Sequence, residues 1–170
     1  MCGLAVMLVA AAGGTAGSDA PQRPPEVTLR TMDGSGTVSL QSFEGRPVLL
    51  SFWATWCGPC RVELPELARL YRDLVGEGFV LLTVNVDTNP AVAGRYLEQL
   101  GISVPVYRMA PQDLVALEIN ALPTNILLDR NGQVVMTAKG YSPTLPDDVR
   151  TLVGGGTDEA GSAEETPQDS

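Results

Sequence analysis

Val48-Leu49-Leu50-Ser51-Phe52-Trp53-Ala54-Thr55-Trp56-Cys57-Gly58-Pro59-Cys60 is the stretch whose reading decides the fold. Val48 to Phe52 is a continuous apolar run of strand length, which predicts a buried central strand. Beyond it, Val62, Leu64, Leu67, Leu70 and Leu74 recur at three- and four-residue spacing. That period predicts a helix from about Pro59 to Val75, stopped by Gly76 and Gly78 and bent by Pro65. The two cysteines are spaced C-x-x-C and fall where the strand hands over to the helix.

That location has chemical consequences. Thiol–disulfide exchange needs one thiolate to attack and a second thiol to resolve the mixed disulfide. Cys57 is expected just before the helix, where unpaired N–H groups and the macrodipole favour negative charge and draw the thiol pKa below its free value of about 8.5. Cys60 is expected one turn in, on the same side and less exposed. Gly58 and Pro59 shape the turn, and a proline at a helix start removes no needed donor. Cys57 is thus the candidate nucleophile and Cys60 the candidate resolver. The competing reading is a plain stabilising disulfide, but so short a loop constrains the unfolded chain little.

Metal chemistry finds few ligands. The chain has three cysteines and no histidine, and Cys2 lies outside any domain. A tetrahedral zinc site wants four N or S ligands and cannot be assembled here within one chain. A Cu(I) ion held by the two thiolates stays open as a lesser alternative, with Met109 the one mid-domain methionine near a loop. Neither a metal nor an organic cofactor is expected.

Outward from the centre, the pattern alternates strands and helices. Glu26–Leu29 and Thr37–Leu40 read as short strands about the turn Asp33-Gly34-Ser35-Gly36, after the extended Arg23-Pro24-Pro25. Phe79 to Val86 is a second β-branched run, closed by Asp87-Thr88-Asn89-Pro90. Ala91–Leu100 and Gln112–Ile119 are helical in pattern. Thr124–Leu128 and Val134–Thr137 bracket Asp129-Arg130-Asn131-Gly132, the strongest hairpin signal in the chain. Pro146–Leu152 reads as a last helix with acids in its first turn. The expected fold is α/β, a central mixed sheet flanked by helices with an N-terminal strand extension, parallel where helices cross over and antiparallel in the last hairpin.

The 170 residues accommodate one domain, expected over 21–153, with ends to spare. Residues 4–12 form an apolar run followed by small residues through Ala20, resembling a secretory signal with a cut after Ala16 or Ser18. No Lys or Arg precedes Arg23, so either the start lies upstream or the signal is unusual. Cys2 precedes the apolar run, the reverse of a lipoprotein order. Residues 1–20 are therefore read as a signal, or as a tether if uncleaved, and the location as extracytoplasmic or periplasmic. Residues 154–170 are Gly-rich and acidic and read as a disordered tail. Of the 20 acids, Asp19 and five in that tail leave 14 against 11 bases. A mildly acidic domain in a chain of net charge −9 argues against a nucleic-acid partner.

Phe52 to Cys60, with Pro65 beyond, resembles thioredoxin. The entry Leu40-Gln41-Ser42-Phe43-Glu44-Gly45-Arg46-Pro47-Val48 and the run Cys60-Arg61-Val62-Glu63-Leu64-Pro65 narrow the resemblance to the exported TlpA/ResA-like branch. So do Leu122-Pro123-Thr124, Leu127 to Gly132, and Gly140-Tyr141, and the resemblance covers roughly residues 25–152. It implies that Pro123 is cis and faces the cysteine pair, with Leu122 and neighbouring backbone beside the substrate, and that Trp56, Gly58 and Pro59 frame the same site. It also implies that Glu63 lies close to the pair, where a carboxylate could take the Cys60 proton. Two other readings remain: Trp56 as a core aromatic, and Glu63 as a first-turn acid favoured by the helix dipole. Cytoplasmic thioredoxin carries a buried Asp and Lys where this chain has Ser51 and Thr83, which leaves Glu63 the leading acid–base candidate. Asn125 stands where the family more usually has Thr or another small residue.

The function expected is a thiol–disulfide oxidoreductase that reduces disulfides of exported proteins, with apocytochrome c or copper-site maturation as typical client classes and a membrane thiol as electron donor. A monomer is expected. The alternative direction is an oxidant that installs disulfides; Gly-Pro between the cysteines resembles the reducing thioredoxins more. A peroxiredoxin-type setting is not met, since Thr55 has no matching Pro.

Overall fold

The computed structural model describes residues 22–154. The apolar segment read as a signal lies outside the described residues, as does the acidic tail apart from Gly154, which closes the last helix. No described helix is long and apolar enough to cross a membrane.

Among the described residues seven strands form one sheet: β1 (Thr28–Thr31), β2 (Thr37–Ser39), β3 (Val48–Trp53), β4 (Val80–Asn85), β5 (Val106–Met109), β6 (Thr124–Leu128) and β7 (Val134–Lys139). Their spatial order is β2-β1-β5-β4-β3-β6-β7. Helices α1 (Gly58–Leu74), α2 (Pro90–Leu100), α3 (Pro111–Ala116) and α4 (Leu145–Gly154) complete the fold. β3 pairs parallel with β4 across the α1 crossover, and β4 parallel with β5 across α2. β6 and β7 close one side antiparallel, and the β1–β2 hairpin extends the other by pairing antiparallel with β5.

β3 is buried along its whole length because both faces are covered. Val48, Leu50 and Phe52 point into one core with Leu82, Val84, Ile126 and Leu29. Leu49 points the other way, into a core with Leu81, Leu127, the α1 residues Leu67, Leu70 and Leu74, and the α4 residues Leu145, Val149 and Val153. Each such side chain removed from water contributes about 1.5–3 kcal/mol, which is why the continuous run selects the sheet centre. The β6–β7 turn forms where expected. Asp129 Oδ1 accepts from the N–H groups of Asn131 (2.8 Å) and Gln133 (2.9 Å), and Gly132 takes φ +73°.

Some boundaries moved. β1 starts at Thr28 rather than Glu26, since only Leu29 to Thr31 find partners on β5. Leu40 begins a 3₁₀ turn over Leu40–Phe43 instead of ending β2. α3 stops at Ala116, and Glu118 turns the chain with φ +54°. β5 went unread in the sequence because it is four half-buried residues, VYRM, without a distinctive period. Met109 is the last residue of this strand, paired with Leu29 and next to the link at Ala110. α1 runs without interruption past Pro65.

Candidate active site

The link from β3 to α1 is braced from the end of β4. Asp87 is buried, and its Oδ2 accepts from the Thr55 N–H (3.0 Å) and Asn85 Nδ2 (2.8 Å), while its Oδ1 accepts from Thr55 Oγ1 (3.0 Å). The Val86 N–H donates to the Trp53 carbonyl (3.0 Å) and the Cys57 N–H to the Ala54 carbonyl (3.2 Å). The loop before the cysteines is thus hydrogen-bonded both to itself and to the neighbouring strand.

Cys57 caps α1 in an extended conformation, φ −82° and ψ 106°, and Pro59 occupies the first turn. Its Sγ accepts from the Cys60 N–H at 3.2 Å. The two cysteines form a disulfide with Cα atoms 5.3 Å apart. Both are enclosed, Cys57 with 5% and Cys60 with 1% of the residue exposed. The expected order of exposure holds, although Cys57 is far less open than an attacking group was expected to be. Trp53, Ala54, Leu64 and Ala93 enclose the pair in an apolar cluster.

Cys57 opens onto a groove of about 520 Å³. Trp56 and Pro59 line it from the active-site loop, Ile119 to Leu122 from the segment before β6, with Val86 and Leu114. Trp56 is 70% exposed, so it is a rim residue and not a core aromatic; the core tryptophan is Trp53. The Leu122–Pro123 peptide is cis and Pro123 is buried, its carbonyl accepting from the Gly140 N–H at 2.8 Å. Gly58 does not line the groove; a Cβ placed on it meets nothing within 4 Å. Lys139, the chain's sole lysine, donates to the Glu118 carbonyl (3.3 Å) and to Asn120 Oδ1 (3.2 Å), tying the groove segment to β7.

Glu63 lies one turn beyond Cys60, in the second turn of α1 and not the first, with only 2% exposed. A helix-dipole role is therefore ruled out by position and burial. It packs toward the sheet row Thr83, Ser51 and Asn125, which share register across β4, β3 and β6. Asn125 Nδ2 donates to Glu63 Oε1 at 2.9 Å. Burial pushes the Glu63 carboxyl up from 4.5 to about 7; the Asn125 hydrogen bond opposes this and the nearby Glu66 charge adds to it. An acid that titrates near neutrality, buried one helical turn from Cys60, is suited to accept and return a proton. The sequence departure at Asn125 thereby gains its physical account.

Sequence reading missed the Asp87 brace, where it saw only the end of a strand, and the groove wall over Ile119–Ala121. The signal for the wall was present: Leu114 and Ile119 are apolar residues beside a loop that leads into Leu122-Pro123. Among the described residues no group of three His, Cys, Asp or Glu side chains is placed to hold a metal ion.

The Redoxin family model matches residues 16–153. The chain is 30% identical over 125 residues to the thiol-disulfide oxidoreductase ResA of Bacillus subtilis, covering 73% of this chain and 67% of that protein. Among solved structures it is similar to a thiol:disulfide interchange protein of the thioredoxin family from Chlorobium tepidum, with TM-score 0.69, 27% identity, and 79% and 97% of the two chains covered. It is also similar to the exposed lipoprotein thioredoxin of Streptococcus pneumoniae, with TM-score 0.64, 25% identity, and 76% and 98% covered. The family match spans most of the chain, and the chain belongs to the Redoxin family as a thioredoxin-fold thiol–disulfide oxidoreductase.

Proposed function

We propose that this oxidoreductase works outside the cytoplasm, reducing disulfides of exported proteins, and that a thiol-type membrane donor returns it to the dithiol. The observation that carries the reading is the Cys57–Cys60 pair at the cap of α1, with Cys57 alone of the two lining the groove. Cys57 is the nucleophile: the Cys60 N–H that points at its Sγ favours negative charge there. Cys60 resolves, and Glu63 takes and returns its proton. Trp56, Pro59 and Leu122 contact the substrate chain, Pro123 sets the backbone beside them, and Gly58 leaves the approach open.

The reducing direction is supported by the Gly58-Pro59 dipeptide, which resembles that of reducing thioredoxins. The extracytoplasmic location is supported by the apolar leader and by the likeness to an exposed lipoprotein thioredoxin. The test is the equilibrium potential of the pair in glutathione and dithiothreitol buffers. A value near about −270 mV supports the reductant, and one near about −120 mV makes the protein a disulfide donor instead.

A further inference from the structure

Cys60, Glu63 and Glu66 stand three residues apart along α1, where side chains at such spacing are neighbours with Cβ atoms about 5–6 Å apart. Exposure rises along this row: Cys60 1%, Glu63 2%, Glu66 half-buried, and then Tyr141, after β7, at 38%. The Tyr141 hydroxyl donates to Glu66 Oε1 at 3.2 Å. The other oxygen of each carboxylate, Glu63 Oε2 and Glu66 Oε2, is buried without a hydrogen-bond partner among the described residues, as is Asn125 Oδ1. The groups facing Glu63 are Glu66 on its own helix, Asn125 on β6 and Tyr141 beyond β7, while Ser51 on β3 is uncharged. On α4, which packs on α1, Arg150 is engaged by Asp73 and Asp147, so no cation neutralises either glutamate among the described residues.

A carboxyl this enclosed can take the Cys60 proton but has no direct route to hand it to bulk water. Yet it must be deprotonated again before the next turnover. We propose that Glu66, positioned by Tyr141, is the outward half of a proton path that runs from Cys60 through Glu63 to solvent. The proposal rests on the acid–base reading of Glu63 given above.

The step balances. The Cys60 thiol gives its proton to Glu63, and Cys60 Sγ bonds to Cys57 Sγ as the Cys57–substrate S–S bond breaks. The enzyme dithiol is oxidised to the disulfide, and the substrate sulfur leaves with the electron pair and takes a proton from water. Glu63 then passes its proton to the free oxygen of Glu66, and rotation of that half-buried carboxyl carries the proton toward the exposed Tyr141 rim, where water takes it. Tyr141 occupies Oε1 of Glu66 and leaves Oε2 to receive. Nothing in the path depends on whether the enzyme works as reductant or oxidant, since Cys60 exchanges a proton in both directions.

The test is single-turnover kinetics of the full chain with a model peptide disulfide, following tryptophan fluorescence and the colour of a pH indicator together. E63Q is expected to slow the resolving step about a hundredfold, at the lower end of what a positioned proton-transfer group supplies. E66Q is expected to slow it about tenfold, with the rate restored by added imidazole buffer, a rescue that a packing defect would not show. Y141F is expected to slow it a few-fold with the same rescue, and it stands in should E66Q not fold. If E63Q resolves slowly while the outer variants match wild type, or are slow without rescue, the path is overturned and the Glu63 reading survives. If E63Q itself resolves at the wild-type rate, both fall together.

Discussion

Asn125 and Glu63, 62 residues apart in the chain, are joined by a 2.9 Å hydrogen bond from the Asn125 amide to the Glu63 carboxylate. The bond links the start of β6 to the second turn of α1, one turn beyond Cys60. Among the described residues it is the one donor to this buried acid, and it holds that carboxyl below where burial alone would put it.

N125A therefore raises the Glu63 pKa further above about 7, because the only effect favouring the ionised form is gone. The expected outcome is an alkaline shift of the Glu63 carboxyl resonance in a carbon-13 NMR titration. The pH midpoint of the resolving step should move in the same direction. An unchanged midpoint would show that Glu63 does not govern that step.

The same acid sets a pH dependence of stability. Glu63 titrates near 4.5 unfolded and about 7 folded, so between these values the native state binds more protons than the unfolded one. Its contribution is fully present below about 4.5 and is lost as the pH rises through about 7. The interval corresponds to about 3 kcal/mol at most. E63Q should remove this slope and leave the protein more stable than wild type at pH 8. Its amide oxygen can still accept from Asn125, and it carries no charge to desolvate. Urea midpoints of both proteins at pH 5 and pH 8 check this, and parallel pH profiles would contradict it.

Asp87 braces the cysteine loop with three accepted hydrogen bonds. D87A leaves the Thr55 and Asn85 donors without a charged acceptor, with an expected loss of about 2 kcal/mol or more. D87N keeps the shape but has only one acceptor oxygen, and it should lie between. Denaturant titration gives the stabilities. Faster hydrogen exchange at the Thr55 and Cys57 amides should accompany them if the brace holds the loop as the geometry indicates.

Trp56 is the large apolar side chain standing at the mouth of the groove, 70% exposed. W56A should raise KM for a folded or peptide disulfide by roughly tenfold, the scale of a tryptophan lost from an interface. Turnover of a small reagent disulfide should be nearly unchanged. Equal loss on both substrates would move Trp56 from substrate contact to support of the cysteine loop.

The sequence alone determined the elements whose signal is local. Val48 to Phe52 reads as a buried strand, the leucine period after Pro59 reads as an amphipathic helix, and Asp129 to Gly132 carries its own turn chemistry. The C-x-x-C between the first two was legible for the same reason, since its strand-to-helix setting is written in consecutive residues. Only the tertiary structure decided the rest. β5 exists because β4 and β1 offer it partners, not because VYRM has a strand's period. Glu63 could be read either as a dipole acid or as a proton carrier until the fold buried it and brought Asn125 against it. Trp53 and Trp56, three residues apart, look alike in the sequence; one is core and the other rim because β3 ends between them. Charge, burial and partner are properties of residues brought together from distant parts of the chain, so a reading along the chain can nominate such groups, but only their packing assigns them.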